Sequence, residues 1–418
     1  MDLEAVEVAL RRVALSLAAR VVERRLNQDH SDRHLPDPAC PRCGRAARYV
    51  ERRTKTFVSV LGPLELERAY FYCSPCGSGF FPRDRALGLS DSTLTPAVTR
   101  MVGAVGATVS FEEGHQLLHE LAAITLDART VQRVAEALGA EIARDERAVV
   151  ESTAPSAPTL YLGLDGTGIP MRKAELAGRQ GKQPDGSSKT REVKLCTVWS
   201  AERRDKHGLP ERDPGSISYS AAIESAATLD TQQDLSAFAQ RVQREADRRG
   251  FSHARRCVVL GDGAAWIWNI ADAQFPDAVQ IVDRFHVKQH LCDVAKAIWG
   301  AASPMAAEWA GARHAELDDG RLDDLIHAVQ AHAPTCEDAR KCIGYLQRNR
   351  DRMNYPDLHA RGLSTSSGVV EAGCKVAIGT RLKRAGMHWT TYGADAIIAL
   401  RCSRLSGRFE DFWERRAA

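Results

Sequence analysis

The sequence lacks any apolar run that approaches the roughly 20 residues a helix needs to cross a bilayer. Its N-terminus, Met1-Asp2-Leu3-Glu4, is acidic and is not followed by the apolar core of a secretion signal. Membrane insertion and secretion are therefore not expected. A strong charge of either sign is also lacking, because the formal net charge is only +3. That balance does not by itself indicate a nucleic-acid partner.

The composition is that of a globular protein, with 44% apolar and 27% charged residues. A chain of 418 residues is long enough for about two or three domains and a substantial core. Basic residues outnumber acidic ones in 33–85 and in 375–418. Two basic ends around an acidic site would suit a polyanionic substrate, although solvated surface explains the same pattern.

Cysteine is plentiful, and four of the eleven cysteines form two Cys-x-x-Cys pairs. The pairs, Cys40 with Cys43 and Cys73 with Cys76, flank two strand-like stretches joined at Gly62-Pro63. This pattern predicts a zinc ribbon, in which four thiolates close a structural Zn²⁺ site. Two disulfides are the alternative. The odd total and the CxxC spacing favour zinc and free thiols in a reducing compartment.

Two short apolar stretches that read as strands each end at an aspartate followed by glycine. The first ends at Asp165 and the second at Asp262, while a third acid, Glu371, falls in the first turn of a predicted helix. Clustered carboxylates repel each other unless cations lie between them. Hard divalent ions take such oxygen ligands, and two of them can clamp a phosphoryl transfer. Each aspartate taken alone is more often a turn residue than a functional one.

The order of predicted elements gives an α/β multidomain protein. After a linker at 153–158 it reads three strands, helix, strand, helix, strand, helix, which predicts a mixed sheet flanked by helices, with a domain boundary near 152. The predicted regions are an amphipathic helix in 1–30, the zinc ribbon in 35–85, a helical DNA-binding domain in 90–150, a first catalytic part in 157–285, a helical insertion in 286–362 and a last catalytic part in 363–418.

The helical region contains a capping-box pattern at Ser110 and Glu113, followed by a tight turn and a longer helix. A short helix, a turn and a longer helix fit a helix-turn-helix, although any αα-hairpin gives the same pattern. The residues predicted to lie at the front of the recognition helix and to contact DNA are Arg129, Thr130, Gln132 and Arg133.

Four local stretches resemble a known family: LGLDGTGIPM, VVLGDGAAWIWN, FPDAVQIVDRFHVKQHL and STSSGVVEAGCKVAIGTRLKRAGMHW. They are similar to DDE-type transposases of bacterial insertion sequences, specifically the ISKra type. These belong with the Mutator-like group of the RNase H-like superfamily. The resemblance implies an RNase H-like sheet with a helical insertion before the glutamate, and it covers about 158–402.

The resemblance also implies the chemistry. Asp165, Asp262 and Glu371 would bind two Mg²⁺ or Mn²⁺ ions, and Asp283 with His286 matches the family's D-x-x-H element. Water would cut the phosphodiester at the ends of the element, and the freed 3′ hydroxyl would attack target DNA. The role of His286 stays open between a phosphate contact and support of the insertion.

Basic residues follow Glu371 closely, and a tryptophan stands after them. They are predicted to hold phosphates and to stack on an unpaired base, against the alternative of surface charge plus a packed tryptophan. These residues are Lys375, Arg381, Lys383, Arg384 and Trp389.

The implied partners are the terminal inverted repeats of the element and target DNA, with at least a homodimer on DNA and no membrane. The expected location is the bacterial cytoplasm, in association with the nucleoid. Two rival functions remain: an RNase H-like nuclease without strand transfer, and a zinc-dependent DNA-binding regulator whose acids are structural.

Overall fold

The computed structural model describes residues 2–90, 92–148, 155, 157–181, 188–206, 208–226, 235–366 and 368–417. It divides into two compact units, one of Met1–Leu138 with Trp413–Ala418 and one of Gly139–Phe412. The division falls within a helix, whereas the predicted boundary near 152 lies outside the described residues. Within the described ranges, no helix is both long and apolar enough to cross a membrane.

The first unit contains a three-stranded antiparallel sheet and several helices. Its elements are α1 (Leu3–Gln28), β1 (Arg48–Ser59), β2 (Gly62–Cys73), β3 (Ser78–Phe80), α2 (Pro82–Ala86), α3 (Pro96–Thr108), α4 (Phe111–Ala122) and the first part of α5 (Ala128–Ala148).

Turn and cap chemistry set these boundaries. The β1–β2 hairpin turns at Gly62, whose φ of 111° suits glycine. The predicted capping box of α4 is confirmed, since the Ser110 hydroxyl accepts the Glu113 N–H at 3.2 Å. The Glu113 carboxylate in turn accepts the Ser110 N–H at 2.8 Å.

The second unit is built on a five-stranded mixed sheet. Its elements are β4 (Thr159–Pro170), β5 (Thr190–Ser200), β6 (Arg203–Arg204), β7 (Pro210–Glu211), β8 (Ser218–Ala222), α6 (Ala237–Arg248), β9 (Arg256–Gly261), α7 (Ala265–Gln274), β10 (Val279–Val282), α8 (Arg284–Trp299), α9 (Pro304–Asp318), α10 (Leu322–Gln330), α11 (Glu337–Arg348), α12 (Tyr355–Ala360), α13 (Gly368–Gly373), α14 (Thr380–Leu382), α15 (Thr391–Leu405) and α16 (Phe409–Ala417), the last of which ends in the first unit.

The strand order is β10-β9-β4-β5-β8, so the first strand of this unit lies at the centre of the sheet. Strands β4, β9 and β10 are parallel, and β5 is antiparallel to both of its neighbours. The predicted mixed sheet and the alternation of its later strands with helices are therefore confirmed. From α8 to α12 the chain is helical, as expected for the stretch before Glu371.

Helix α13 packs directly on the centre of the sheet because glycines remove the side chains between them. A Cβ placed on Gly163 of β4 would lie 2.1 Å from Val370 Cγ2 and 2.8 Å from Trp199. On the helix side, a Cβ on Gly373 would lie 3.0 Å from Leu195 Cδ2. The helix that carries Glu371 therefore lies closer to β4 than any larger residue at position 163 would allow.

We predict that Gly163→Ala destabilises the protein by about 1–3 kcal/mol, because the added methyl group forces Val370 and Trp199 apart. Urea unfolding followed by tryptophan fluorescence measures the change. Gly311→Ala is the matched control, since nothing lies within 4 Å of a Cβ at that position in α9. It should be neutral or stabilise by up to about 1 kcal/mol. Equal effects of the two substitutions would contradict the packing argument.

Candidate functional site

Four cysteines in the first unit form a cluster that could hold a zinc ion. Their Sγ atoms all lie within 4.8 Å of one another, with Cys40 and Cys76 at 3.6 Å and Cys43 and Cys73 at 3.6 Å. Tetrahedral Zn²⁺ with Zn–S bonds of about 2.3 Å needs sulfur atoms at about this separation. All eleven cysteines are free, so the alternative of two disulfides is not found.

The two Cys-x-x-Cys turns have the same backbone geometry. Gly44 N–H donates to the Cys40 carbonyl at 2.8 Å, and Gly77 N–H donates to the Cys73 carbonyl at 2.9 Å. Both glycines adopt positive φ, 71° and 67°, which larger residues disfavour. Each turn therefore presents its two thiols to the same point, on a scaffold formed by β1, β2 and β3.

In the second unit, Asp165 lies within β4, while Asp262 and Asp283 directly follow the neighbouring parallel strands β9 and β10. Gly163 of β4 is opposite Leu260 of β9, and Val282 of β10 is opposite Gly261. Continuing these registers by one or two residues aligns Asp165, Asp262 and Asp283 across the sheet, on strands about 4.8 Å apart. The strand predicted to end at Asp165 instead continues to Pro170, paired with β5, so that predicted end is wrong, whereas β9 ends directly before Asp262 as predicted. The extended register still places Asp165 and Asp262 side by side.

Asp165 is a half-buried carboxylate with two donors. It accepts the Gly166 N–H at 2.6 Å and the thiol hydrogen of Cys374. Burial raises the pKa of Asp165, and the nearby charge of Asp262 raises it further, while these two hydrogen bonds act in the opposite direction. A cation at this position would relieve both causes of the raised pKa.

Asp262 is held in place by a contact from helix α11. The hydroxyl of Tyr345, on α11, donates to the Asp262 carbonyl at 2.7 Å, and the Asp262 carboxylate accepts the Ala264 N–H at 2.9 Å. A Cβ on Gly263 would lie 2.5 Å from the Tyr345 ring, and the φ of Gly263 is 97°. The glycine after the second aspartate is therefore required by the approach of Tyr345.

Glu371 pairs with His286. The two side chains meet at 3.2 Å between His286 Nε2 and Glu371 Oε1. Their ligand atoms and that of Asp283 lie within 4.8 Å of one another. Asp283 is buried and caps α8, accepting the N–H of Phe285 at 2.5 Å and that of His286 at 3.4 Å. The cap therefore fixes the start of the helix that carries His286.

The three acids singled out in the sequence thus share one region but not one tight cluster. Among the described residues, Glu371 groups within 4.8 Å with Asp283 and His286, and not with Asp165 and Asp262. Cys374 interacts with both sets: its thiol donates to Asp165, and burial, followed by the charges of Asp165 and Glu371, raises the pKa of that thiol. The site therefore extends from Asp165 past Cys374 to Glu371.

The sequence matches one protein family across 39–415, which is nearly the whole chain. The chain belongs to the uncharacterised protein family UPF0236. No curated protein matches the sequence. One similar solved structure is the Drosophila P element transposase strand transfer complex, with 10% identity over 80% of this chain and 84% of that chain. The TM-score of 0.27 is too low to support a conclusion about fold or function.

The structure of this UPF0236 protein separates the predicted DNA contacts into exposed and buried residues. Arg129 and Arg133 are exposed on α5. Thr130 is half-buried and its hydroxyl donates to Asp127 at 2.8 Å, while Gln132 donates to Glu136 at 2.8 Å. Of these four residues, Arg129 and Arg133 are therefore the two that extend to solvent, and the structure describes no local side-chain hydrogen bond for either.

Two predicted contacts near the C-terminus must be corrected. Arg381 is fully buried, and its guanidinium lies 5.2 Å from the ring centre of Trp389. Trp389 is also buried, and its indole N–H donates to the Leu382 carbonyl at 3.0 Å. Neither side chain can reach a phosphate or a base from these positions. Lys375, Lys383 and Arg384 are exposed, with Lys383 hydrogen-bonded to Thr167 on β4.

Several site features were not recognised from the sequence. A π-helix, Cys374–Gly379, follows α13, and such turns often occur at functional sites. Cys374 is three residues after Glu371, a helical spacing that could have placed both on one face. Tyr345 had no sequence signal, because its contact with the Asp262 turn joins distant segments.

We predict that Cys73→Ser lowers the zinc content of the purified protein from about one ion per chain to near zero, because three thiolates and a hydroxyl do not close the site. Elemental analysis of the protein measures the content. Cys292→Ser is the control, since Cys292 lies on α8 outside the cluster. Retention of stoichiometric zinc by Cys73→Ser would rule out this ligand set.

Proposed function

We propose that this protein is a metal-dependent DNA transposase of the ISKra type, with an RNase H-like catalytic unit. It would cut phosphodiester bonds at the ends of an insertion sequence and transfer the 3′ hydroxyl ends to target DNA. The observation that carries the proposal is the alignment of Asp165 and Asp262 on neighbouring parallel strands, beside a helix that brings Glu371 to the same sheet.

The strand arrangement supports this proposal. The first acid lies on the first and central strand, the second follows the fourth strand, and the third lies on a late helix after a helical insertion. That combination is what the family resemblance implies. Carboxyl ends of parallel strands are also where open α/β sheets place ligand sites.

Asp165 and Asp262, with Glu371, would hold Mg²⁺ or Mn²⁺, ions that prefer carboxylate oxygens. Bound there, the ions would activate the attacking water and stabilise the charge on the phosphoryl oxygens. Other side chains position these acids. Tyr345 fixes the Asp262 turn, and Cys374 donates to Asp165.

His286 has a role in the proposed site that the sequence left open. Its 3.2 Å contact with Glu371 suits a residue that orients this carboxylate, and its placement by the Asp283 cap supports that role. Holding the insertion is compatible with this role, because α8 begins the insertion.

DNA would reach the site along exposed cations. Lys375, Lys383 and Arg384 follow Glu371 and could neutralise phosphates near the cut. Arg129 and Arg133 on α5 could contact DNA as part of a helix-turn-helix, and the zinc ribbon would be a further DNA-binding element.

We expect Asp165→Asn and Asp262→Asn each to lower metal-dependent cleavage of DNA carrying the element's ends by at least about 100-fold, because each removes a charged ligand of the proposed ions. DNA affinity, measured by fluorescence anisotropy, should change little. Asp272→Asn is the control, because Asp272 is exposed on α7.

The same assays separate the rival functions. Strand transfer from pre-cut ends is expected of a transposase and not of a simple nuclease. A zinc-dependent regulator would bind DNA and show no metal-dependent cleavage in the unmodified protein. Cleavage without strand transfer, or DNA binding without any metal-dependent cleavage, would contradict the proposal.

We further expect His286→Ala to lower cleavage by about 10–100-fold, the usual effect of losing a residue that orients a metal ligand. Gln289→Ala, an exposed substitution on the same helix, should retain activity. If His286→Ala lowers cleavage by the same factor in a Glu371→Gln variant as in the unmodified protein, His286 acts independently of Glu371.

A further inference from the structure

Helix α1 has two opposite apolar faces, and only one of them is covered. Ala19 is buried and Leu26 packs in the same cluster, against Phe57, Leu64 and Leu66 of the β1–β2 hairpin. Polar contacts strengthen this attachment. Asn27 donates to the Glu65 carbonyl at 2.9 Å and accepts the Glu67 N–H at 2.9 Å. The C-terminal half of this face is therefore covered within the first unit.

The opposite face is bare along most of the helix. Five large apolar side chains there are between 60% and 69% exposed: Leu3, Leu10, Val13, Leu17 and Val21. Isolated exposed leucines are common, but a continuous row along a helix of about 39 Å is not.

The spacing of this row is that of a helix that pairs with another helix. Apolar residues of this face stand at positions 3, 6, 10, 13 and 17, alternating steps of three and four, and Val21 follows after a second step of four. Val6 is half-buried, and the others are exposed. This repeat is the seam of a coiled coil, and it differs from the broader face by which a helix usually covers a sheet.

Charge indicates which partner fits. The exposed acids of α1 and its N-cap lie at the start, Asp2, Glu4 and Glu7. Three exposed arginines lie at the end, Arg20, Arg24 and Arg25, and two more, Arg11 and Arg12, lie near the middle. A second copy running antiparallel places the acids of one helix against the arginines of the other. A parallel copy would place like charges together.

We infer that the exposed face of α1 binds the same face of a second copy of this chain, antiparallel, to form a dimer without DNA. Leu10 of one protomer lies against Leu17 of its partner, with Val13 near the twofold axis. Such a symmetric pair would bury on the order of 1,000 Å² in total, about the lower bound for a specific interface. This inference does not depend on the proposed catalytic function.

Light scattering after size exclusion, with DNA-free protein at micromolar concentration, tests the inference. We expect a mass of about twice the 45.8 kDa chain. The double variant Leu10→Asp, Leu17→Asp should weaken association by at least about 100-fold and give the mass of one chain. Its circular dichroism and zinc content should match those of the unmodified protein. Met305→Asp, which alters an exposed apolar residue on α9, should leave the dimer intact.

A charge exchange tests the orientation without touching the apolar seam. Glu7→Arg should weaken the dimer, and adding Arg20→Glu, at the position opposite residue 7 in this register, should restore it. Failure of this rescue would overturn the antiparallel arrangement. A monomeric unmodified protein, or a dimer that survives the double leucine substitution, would overturn the inference itself.

Discussion

The contact between Val370 and the bare backbone at Gly163 governs the geometry of the candidate site. Any side chain at that point would lift α13 from β4 and carry Glu371 away from Asp165. The aspartates are fixed more simply, because neighbouring parallel strands hold them in register. Thus hydrogen bonding in the sheet fixes the positions of Asp165 and Asp262, and close packing of α13 on Gly163 fixes the position of Glu371.

Residues other than the three acids also hold the candidate site in place. Tyr345 of the helical insertion holds the Asp262 turn, and Asn349, which accepts the Trp268 indole N–H at 2.7 Å, lies beside it. The insertion is therefore integrated with the sheet through hydrogen bonds. Its removal would leave the Asp262–Gly263 turn without its brace, in addition to exposing apolar surface.

Sequence patterns predicted those features that depend on local residue order. The strand end at Asp262, the paired cysteine turns and the Ser110 capping box all follow from spacing and turn chemistry. The strand end predicted at Asp165 was wrong, because β4 continues to Pro170 in its pairing with β5. Features that depend on distant packing escaped prediction. The burial of Arg381 against Trp389 and the Tyr345 contact follow from how separate helices meet, for which composition offers no signal. The amphipathic pattern of α1 was visible, but its bare second face required the structure.

The central position of β4 has a consequence for chain synthesis. Among the strands of its unit, β4 emerges first from the ribosome. Its neighbour β9 and its covering helix α13 follow much later. Between β4 and α13, the ribosome adds roughly half of the chain. Contacts between such distant segments form slowly. A nascent or prematurely terminated chain would possess the four-cysteine cluster and both aspartates but lack Glu371, and so would expose an unfinished sheet rather than an assembled acidic site.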